Sequence, residues 1–237
     1  MIHLYCPHEI KQESLLKMIN DLGFDYLKYQ KIIEELDAGV GRIEFHNKIY
    51  QWDISSNKAK HHFHQHMGPC PFEGNLLTAK VILLLANPGF NKYQDPFPTK
   101  EDHKPRDGWG IANLSPKGES NWYRPRFRTL LDHEGEEEWQ SLSNKMAMVQ
   151  VIPWASEKFK DLKLLPSRDL MSKTVKAVGE KNREALFVIM RRRKFWEEAL
   201  KGVDQTRIIV NPHPICSYIT KGNFGDDWDK IKKKLDE

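Results

Sequence analysis

The chain has 237 residues, 39% of them hydrophobic and 11% aromatic, which is enough for a buried core in one sizeable domain. A charged fraction of 30% with a formal net charge of +4 permits a nucleic-acid partner without demanding one. Three widely spaced cysteines, Cys6, Cys70 and Cys216, exclude a disulfide framework and are too few for an all-cysteine iron–sulfur cluster. No apolar run is long enough to span a bilayer, and the first residues lack the basic-then-apolar pattern of a signal peptide. The expectation is a reduced, cytoplasmic, monomeric protein with no membrane partner.

Residues 10–36 keep roughly helical spacing through Leu15, Leu16, Ile19, Leu22 and Tyr26, with Gly23 as an interruption. Residues 41–50 alternate around a polar centre like a small hairpin. Residues 55–78 are polar, histidine-rich and punctuated by Pro and Gly, which predicts a loop. These pieces form an N-terminal extension over residues 1–70. From residue 80 the pattern becomes strand and helix in alternation, giving a domain over 71–237. Strands are predicted at 80–86, 146–152, 185–190 and 207–210, and helices at 127–144, 167–183, 194–201 and 226–236. Such alternation implies an α/β fold with a four-stranded parallel sheet between helices, a three-layer α/β/α arrangement. The stretch 91–126 breaks the rhythm with Pro96, Pro98, Pro105, Pro116 and Pro125. A loop of that length is expected to serve a site, as a lid or wall.

Two strand ends carry the most chemistry. The apolar run Val81–Ala86 stops at Asn87-Pro88-Gly89-Phe90. Pro88 cannot donate to a ladder, and Gly89 permits an unusual backbone turn. The run Arg207–Val210 stops at Asn211-Pro212-His213-Pro214. Parallel strands deliver their carboxyl ends to one edge, where open α/β sheets place ligands. That edge is predicted to collect Asn87, Pro153-Trp154, Arg191-Arg192-Arg193 and Asn211-Pro212-His213. Each also has a plainer explanation: a turn cap, a core ring, a solvated basic face, a packed loop histidine.

Over roughly residues 72–237 these motifs resemble the uracil-DNA glycosylase superfamily. Asn87-Pro88-Gly89 is similar to the Asn-Pro-Gly turn of its mismatch-specific, thymine and single-strand-selective branches. His213-Pro214-Ile215-Cys216-Ser217 is similar to its His-Pro-Ser-Pro-Leu-Ser loop. The resemblance implies a monofunctional glycosylase, without cofactor, that binds double- or single-stranded DNA. It assigns Asn87 to holding the attacking water and His213 to hydrogen-bonding the leaving base. Pro88, Gly89, Phe90, Phe97, Trp154 and Ser217 then line the base pocket. Ile215, Tyr218 or Ile219 would wedge into the gap left by the flipped base. Arg191, Arg193, Tyr218, Lys221 and Asn223 contact DNA.

The chain also departs from that pattern. Ile215-Cys216 stands where Ser-Pro is expected, and Gln150–Trp154 lacks the amide that many branches carry on the second strand end. A second register matches Asn211-Pro212 to the Asn-Pro-Ser-Gly loop of the mismatch-specific branch and removes His213 from the chemistry. The pocket is therefore not expected to read plain uracil in the usual way, and a modified base is a reasonable substrate. Two further readings stay open: a non-catalytic DNA- or nucleotide-binding module on the same fold, and a metal-dependent phosphoesterase using His61, His62, His64 and His66. A zinc site would want a second ligand cluster at suitable spacing, and the sequence offers none, so no metal ligand is assigned.

Overall fold

The computed structural model describes residues 71–89, 123–156, 158–159 and 165–237. The predicted helix at 10–36, the hairpin at 41–50, the histidine cluster, Phe90, Phe97 and most of the 91–126 stretch lie outside them.

The chain divides into two compact units, interleaved in sequence. The first comprises Phe72–Leu85, Asp107–Val149 and Asn182–Glu237 and carries the sheet. Its strands are β1 (Phe72–Glu73), β2 (Val81–Leu85), β3 (Met146–Gln150), β4 (Leu186–Ile189) and β5 (Ile208–Val210). Their spatial order is β1-β3-β2-β4-β5. Strands β2 and β4 pair in parallel with Val81 opposite Leu186, and β4 and β5 in parallel with Phe187 opposite Ile208. The β2/β3 pair is flanked by bonds from Lys80 N to Lys145 O and from Ile152 N to Ala86 O. Residue numbers rise together along both strands, as in a parallel pair. The four predicted strands are all present, each within a residue or two of its expected ends.

The predicted sheet needs one correction: it is five-stranded and mixed. Strand β1 runs antiparallel to β3, pairing Phe72 with Val149 and Glu73 with Met148. Two residues of strand inside a polar stretch leave no alternation to read, so residues 71–78 are not all loop. The chain turns off this edge at Gly74, whose φ is +80°. A Cβ there would collide with Met146 O and stand 2.8 Å from Ala147 Cα. Only glycine allows both that conformation and that approach.

The predicted helix at 127–144 also needs correction. The chain forms α1 (Tyr123–Phe127), a 3₁₀ turn (Arg128–Leu130), an extended break at Leu131, and α2 (Glu136–Lys145). Residues 123–126, expected in the long loop, are helical. Gly135 is the N-cap of α2, and Glu136, Glu137 and Glu138 fill its first turn, where carboxylates suit the helix dipole. The apolar residues on both sides of the break face one core, so helical spacing alone could not reveal the interruption. Three later helices match their expected positions, α3 (Pro166–Lys181), α4 (Arg193–Ala199) and α6 (Asp226–Asp236), while the short α5 (Lys221–Phe224) was not expected.

Val81, Leu83 and Leu85 join Met146, Met148, Leu186, Val188 and Ile209 on one face of the sheet. Phe127, Leu130, Trp139, Leu142, Phe224, Ile231 and Leu235 cover that face. Residues of the other parity, including Ile82, Leu84, Val149, Phe187 and Ile189, are buried as well. Burial on both faces explains why β2 reads as an unbroken apolar run rather than an alternation. Trp196 of α4 is fully buried, and its indole N–H donates to Leu85 O at 3.0 Å, satisfying a carbonyl at the end of β2.

The second unit includes Ala86–Arg106 and Gln150–Lys181. Its described part holds the turns that follow β2 and β3 together with α3. Leu170, Met171, Thr174, Val175 and Val178 form the buried stripe of α3, at helical spacing.

Candidate functional site

The Asn87 turn belongs to the second unit. Asn87 follows the end of β2 by two residues and is half-buried. Its side-chain N–H₂ donates to Pro88 O at 2.8 Å and to Ser156 Oγ at 2.8 Å, with Trp154 O at 3.5 Å. Its Oδ1 makes no hydrogen bond to any described residue. The turn is tied to the segment after β3 by Ser156 N donating to Pro88 O at 3.2 Å and by a parallel bridge between Gly89 and Ser156. Gly89 is exposed, its φ is not positive, and a Cβ there would meet nothing within 4 Å. The unusual backbone expected of Gly89 is therefore not used. Pro88 and the Ser156 bridge shape this turn. Trp154 is fully buried; as it stands, its ring fills the interior rather than presenting a face for stacking. Sequence reasoning missed Ser156, because a serine six residues past a strand carries no motif.

The loop after β5 belongs to the sheet-bearing unit, and its geometry is set by Asn211. That side chain is 4% exposed and committed at both ends. Its N–H₂ donates to Cys216 O at 2.7 Å, and its Oδ1 accepts from His213 N at 2.9 Å. Cys216 N donates to His213 O at 2.8 Å, closing the turn. The effect is to push Pro212, His213, Pro214 and Ile215 outward, all of them exposed. Ile215 is 93% exposed, a large apolar side chain held in water on a hydrogen-bonded tip. The His213 ring makes no hydrogen bond to any described residue.

The next residues are held from the side by Arg126 of α1, which the sequence did not single out. Arg126 Nε donates to Ser217 Oγ at 2.7 Å, its guanidinium lies 5.1 Å from the centre of the Tyr218 ring, and its carbonyl accepts from Ile219 N. Burial is the largest influence on Arg126 and pulls its pKa below the ordinary value. The nearby Tyr218 and Cys216 push it up, and Arg191 pushes it down. An arginine stays charged through such shifts. Ser217, expected in the base pocket, is 8% exposed and spends its hydroxyl on Arg126. Asn223, expected on DNA, donates to Tyr218 O at 2.8 Å and to Cys216 Sγ at 3.0 Å, so its amide also braces the loop. Lys221 is exposed and pairs with Asp229 at 3.2 Å.

Of the basic run after β4, Arg191 is exposed, with a long contact of 3.5 Å from Nη2 to Ile215 O. Arg193 pairs with Glu197 one turn along α4 at 2.6 Å. Arg192 takes a left-handed conformation, φ +60° and ψ +43°, and among the described residues it alone does so without being glycine. It is the N-cap of α4, three residues past the end of β4, and such strain collects at functional turns.

The structure thus groups the expected residues into two clusters. One holds Asn87, Pro88, Gly89 and Trp154. The other holds Arg191, His213, Ser217, Tyr218 and Asn223. A shallow depression of about 300 Å³, lined by Arg183, Arg207 and Lys233 among others, lies at the amino ends of β4 and β5, the wrong strand ends for a ligand site in such sheets. Among the described residues no group of three His, Cys, Asp or Glu side chains gathers to hold a metal, and no helix is long and apolar enough to cross a membrane. Comparison of the chain with family profiles, curated proteins and solved structures finds no match.

Proposed function

We propose that the chain is a monofunctional DNA glycosylase of the uracil-DNA glycosylase type, releasing a uracil-like or modified base that has been flipped from the stack. The observation that carries the reading is the Asn87 amide. Its donor end is held by Pro88 O and Ser156 Oγ, which leaves Oδ1 as an acceptor without a described partner. Cleavage of an N-glycosidic bond passes through an oxocarbenium-like sugar and needs a water aimed at it. An amide oxygen is a poor base, so its contribution is to place the water by accepting its hydrogen bond. The base departs with negative charge, which a hydrogen-bond donor stabilises. The exposed His213 suits that role and needs no net proton transfer.

The loop supports the same reading. With both ends of the Asn211 amide spent inside the turn, the register that makes Asn211 the functional residue loses its free group. Ile215, apolar and exposed, suits a wedge that fills the gap beside an extruded base, a step that costs a few kcal/mol. The test is base release from oligonucleotides carrying uracil, hypoxanthine and modified pyrimidines, single- and double-stranded. Release is expected from at least one, reduced about 100-fold or more by Asn87→Ala and by His213→Ala. Release that survives both substitutions, or no release at all, refutes the proposal.

One observation favours a second reading, a module that binds DNA without cleaving it. No described residue orients the His213 ring, whereas hydrogen-bonding imidazoles at reacting centres are commonly held by a partner at the other nitrogen. Salt-dependent DNA binding with no base release on the panel selects that reading.

A further inference from the structure

We propose that Ser156 is a positioning residue that decides which end of the Asn87 amide faces outward. The inference rests on Asn87 holding the attacking water. The two ends of a carboxamide are nearly the same size and shape but opposite in hydrogen bonding, one accepting and one donating twice. A site that needs an acceptor must therefore be built to reject the flipped amide.

The described residues that bond the Asn87 amide do this by offering it acceptors alone. Pro88 O and Trp154 O are carbonyls and can only accept. A serine hydroxyl can accept or donate, so by itself it would tolerate either flip. Ser156 Oγ, however, directs its one proton to Lys158 O at 3.1 Å. It therefore presents a lone pair to Asn87 at 2.8 Å. With the amide reversed, Oδ1 would face lone pairs on Oγ and on Pro88 O at hydrogen-bond distance, losing two bonds and gaining repulsion. The serine is itself fixed. It is 5% exposed, its N–H is bonded to Pro88 O, and its backbone bridges Gly89. The chain of bonds from Lys158 O through Ser156 to Asn87 thus carries one direction, and its outcome is an outward acceptor.

The test has two arms. In the free protein, the side-chain N–H₂ signal of Asn87, assigned by its disappearance in Asn87→Ala, is followed by NMR. Its protons are expected to exchange with water about tenfold or more slowly than those of solvated asparagines, and to lose that protection in Ser156→Ala. Full protection in Ser156→Ala overturns the proposal. In the second arm, with an oligonucleotide that the wild type cleaves, Ser156→Ala is expected to lower kcat about tenfold or more with KM unchanged. Ser156→Thr, which keeps the hydroxyl, is expected to recover most of that loss. An unchanged kcat, or a fall in Ser156→Ala through KM alone, overturns it. Absence of base release in the wild type refutes the glycosylase reading, while the exchange arm still decides whether Ser156 orients the amide.

Discussion

Replacing Arg126 by alanine is expected to cost about 1–2 kcal/mol of stability and to loosen the loop that carries His213 and Ile215. The substitution leaves the backbone bond from Ile219 N to Arg126 O in place. It removes the Nε bond to Ser217 Oγ and the stacking over Tyr218. A hydrogen bond from a charged donor contributes about 1.5–3 kcal/mol, with the lower end suited to a half-buried arginine. A cation over a ring that is 40% exposed adds about 0.5–1 kcal/mol. Against these stands the burial of the guanidinium, the influence that lowers its pKa and that alanine relieves. Urea unfolding of Arg126→Ala, beside Arg128→Ala on the exposed neighbour, measures the difference. The control should stay within about 0.5 kcal/mol of wild type. Hydrogen exchange at the Cys216 and Ile219 amides should accelerate in Arg126→Ala alone. Equal stabilities for the two variants, or unchanged exchange at both amides, would refute the view that Arg126 braces the loop.

Gly74→Ala should destabilise by about 2 kcal/mol or more, because a side chain there strains a positive φ and meets the backbone of β3; thermal unfolding reads it, and a change under about 0.5 kcal/mol contradicts the geometry. Asp204 accepts from Thr206 N and Thr206 Oγ1, both at 2.9 Å, with the backbone bond the larger influence holding its carboxyl below the ordinary range. The folded value lies below the unfolded one, so its contribution is complete above about pH 4 and lost as the pH falls through the folded value. Stability of Asp204→Asn relative to wild type, followed by urea unfolding, should therefore converge as the solution is acidified below pH 4. A gap that stays constant there refutes this account.

What could be read from the chain alone follows the strength of local periodicity. Strands β2 to β5 and helices α3, α4 and α6 were legible because a buried strand or helix face must be apolar at a fixed spacing. Strand β1 was not, since two residues cannot show a period. The break at 131–135 was hidden because α1, the 3₁₀ turn and α2 all send apolar side chains to the same face. The two strand-end turns bearing Asn87 and His213 were legible because Asn-Pro-Gly and Asn-Pro-His-Pro interrupt apolar runs. Arg126 and Ser156 were not, because their partners are 91 and 69 residues away and nothing local marks the pairs.

The sequence by itself determined strands β2 to β5 and helices α3, α4 and α6, their alternation, and the two strand ends whose turns bear polar groups. These are properties of near neighbours, governed by side-chain spacing, proline and glycine. Tertiary structure alone decided how those groups are used. Asn211 turned inward and spent its amide, Ser217 and Asn223 became braces, and Trp154 went to the interior. The Asn87 amide gave its N–H₂ to Pro88 O and Ser156 Oγ. Each outcome depends on where a hydrogen bond finds its partner, and those partners are brought together only when distant segments pack.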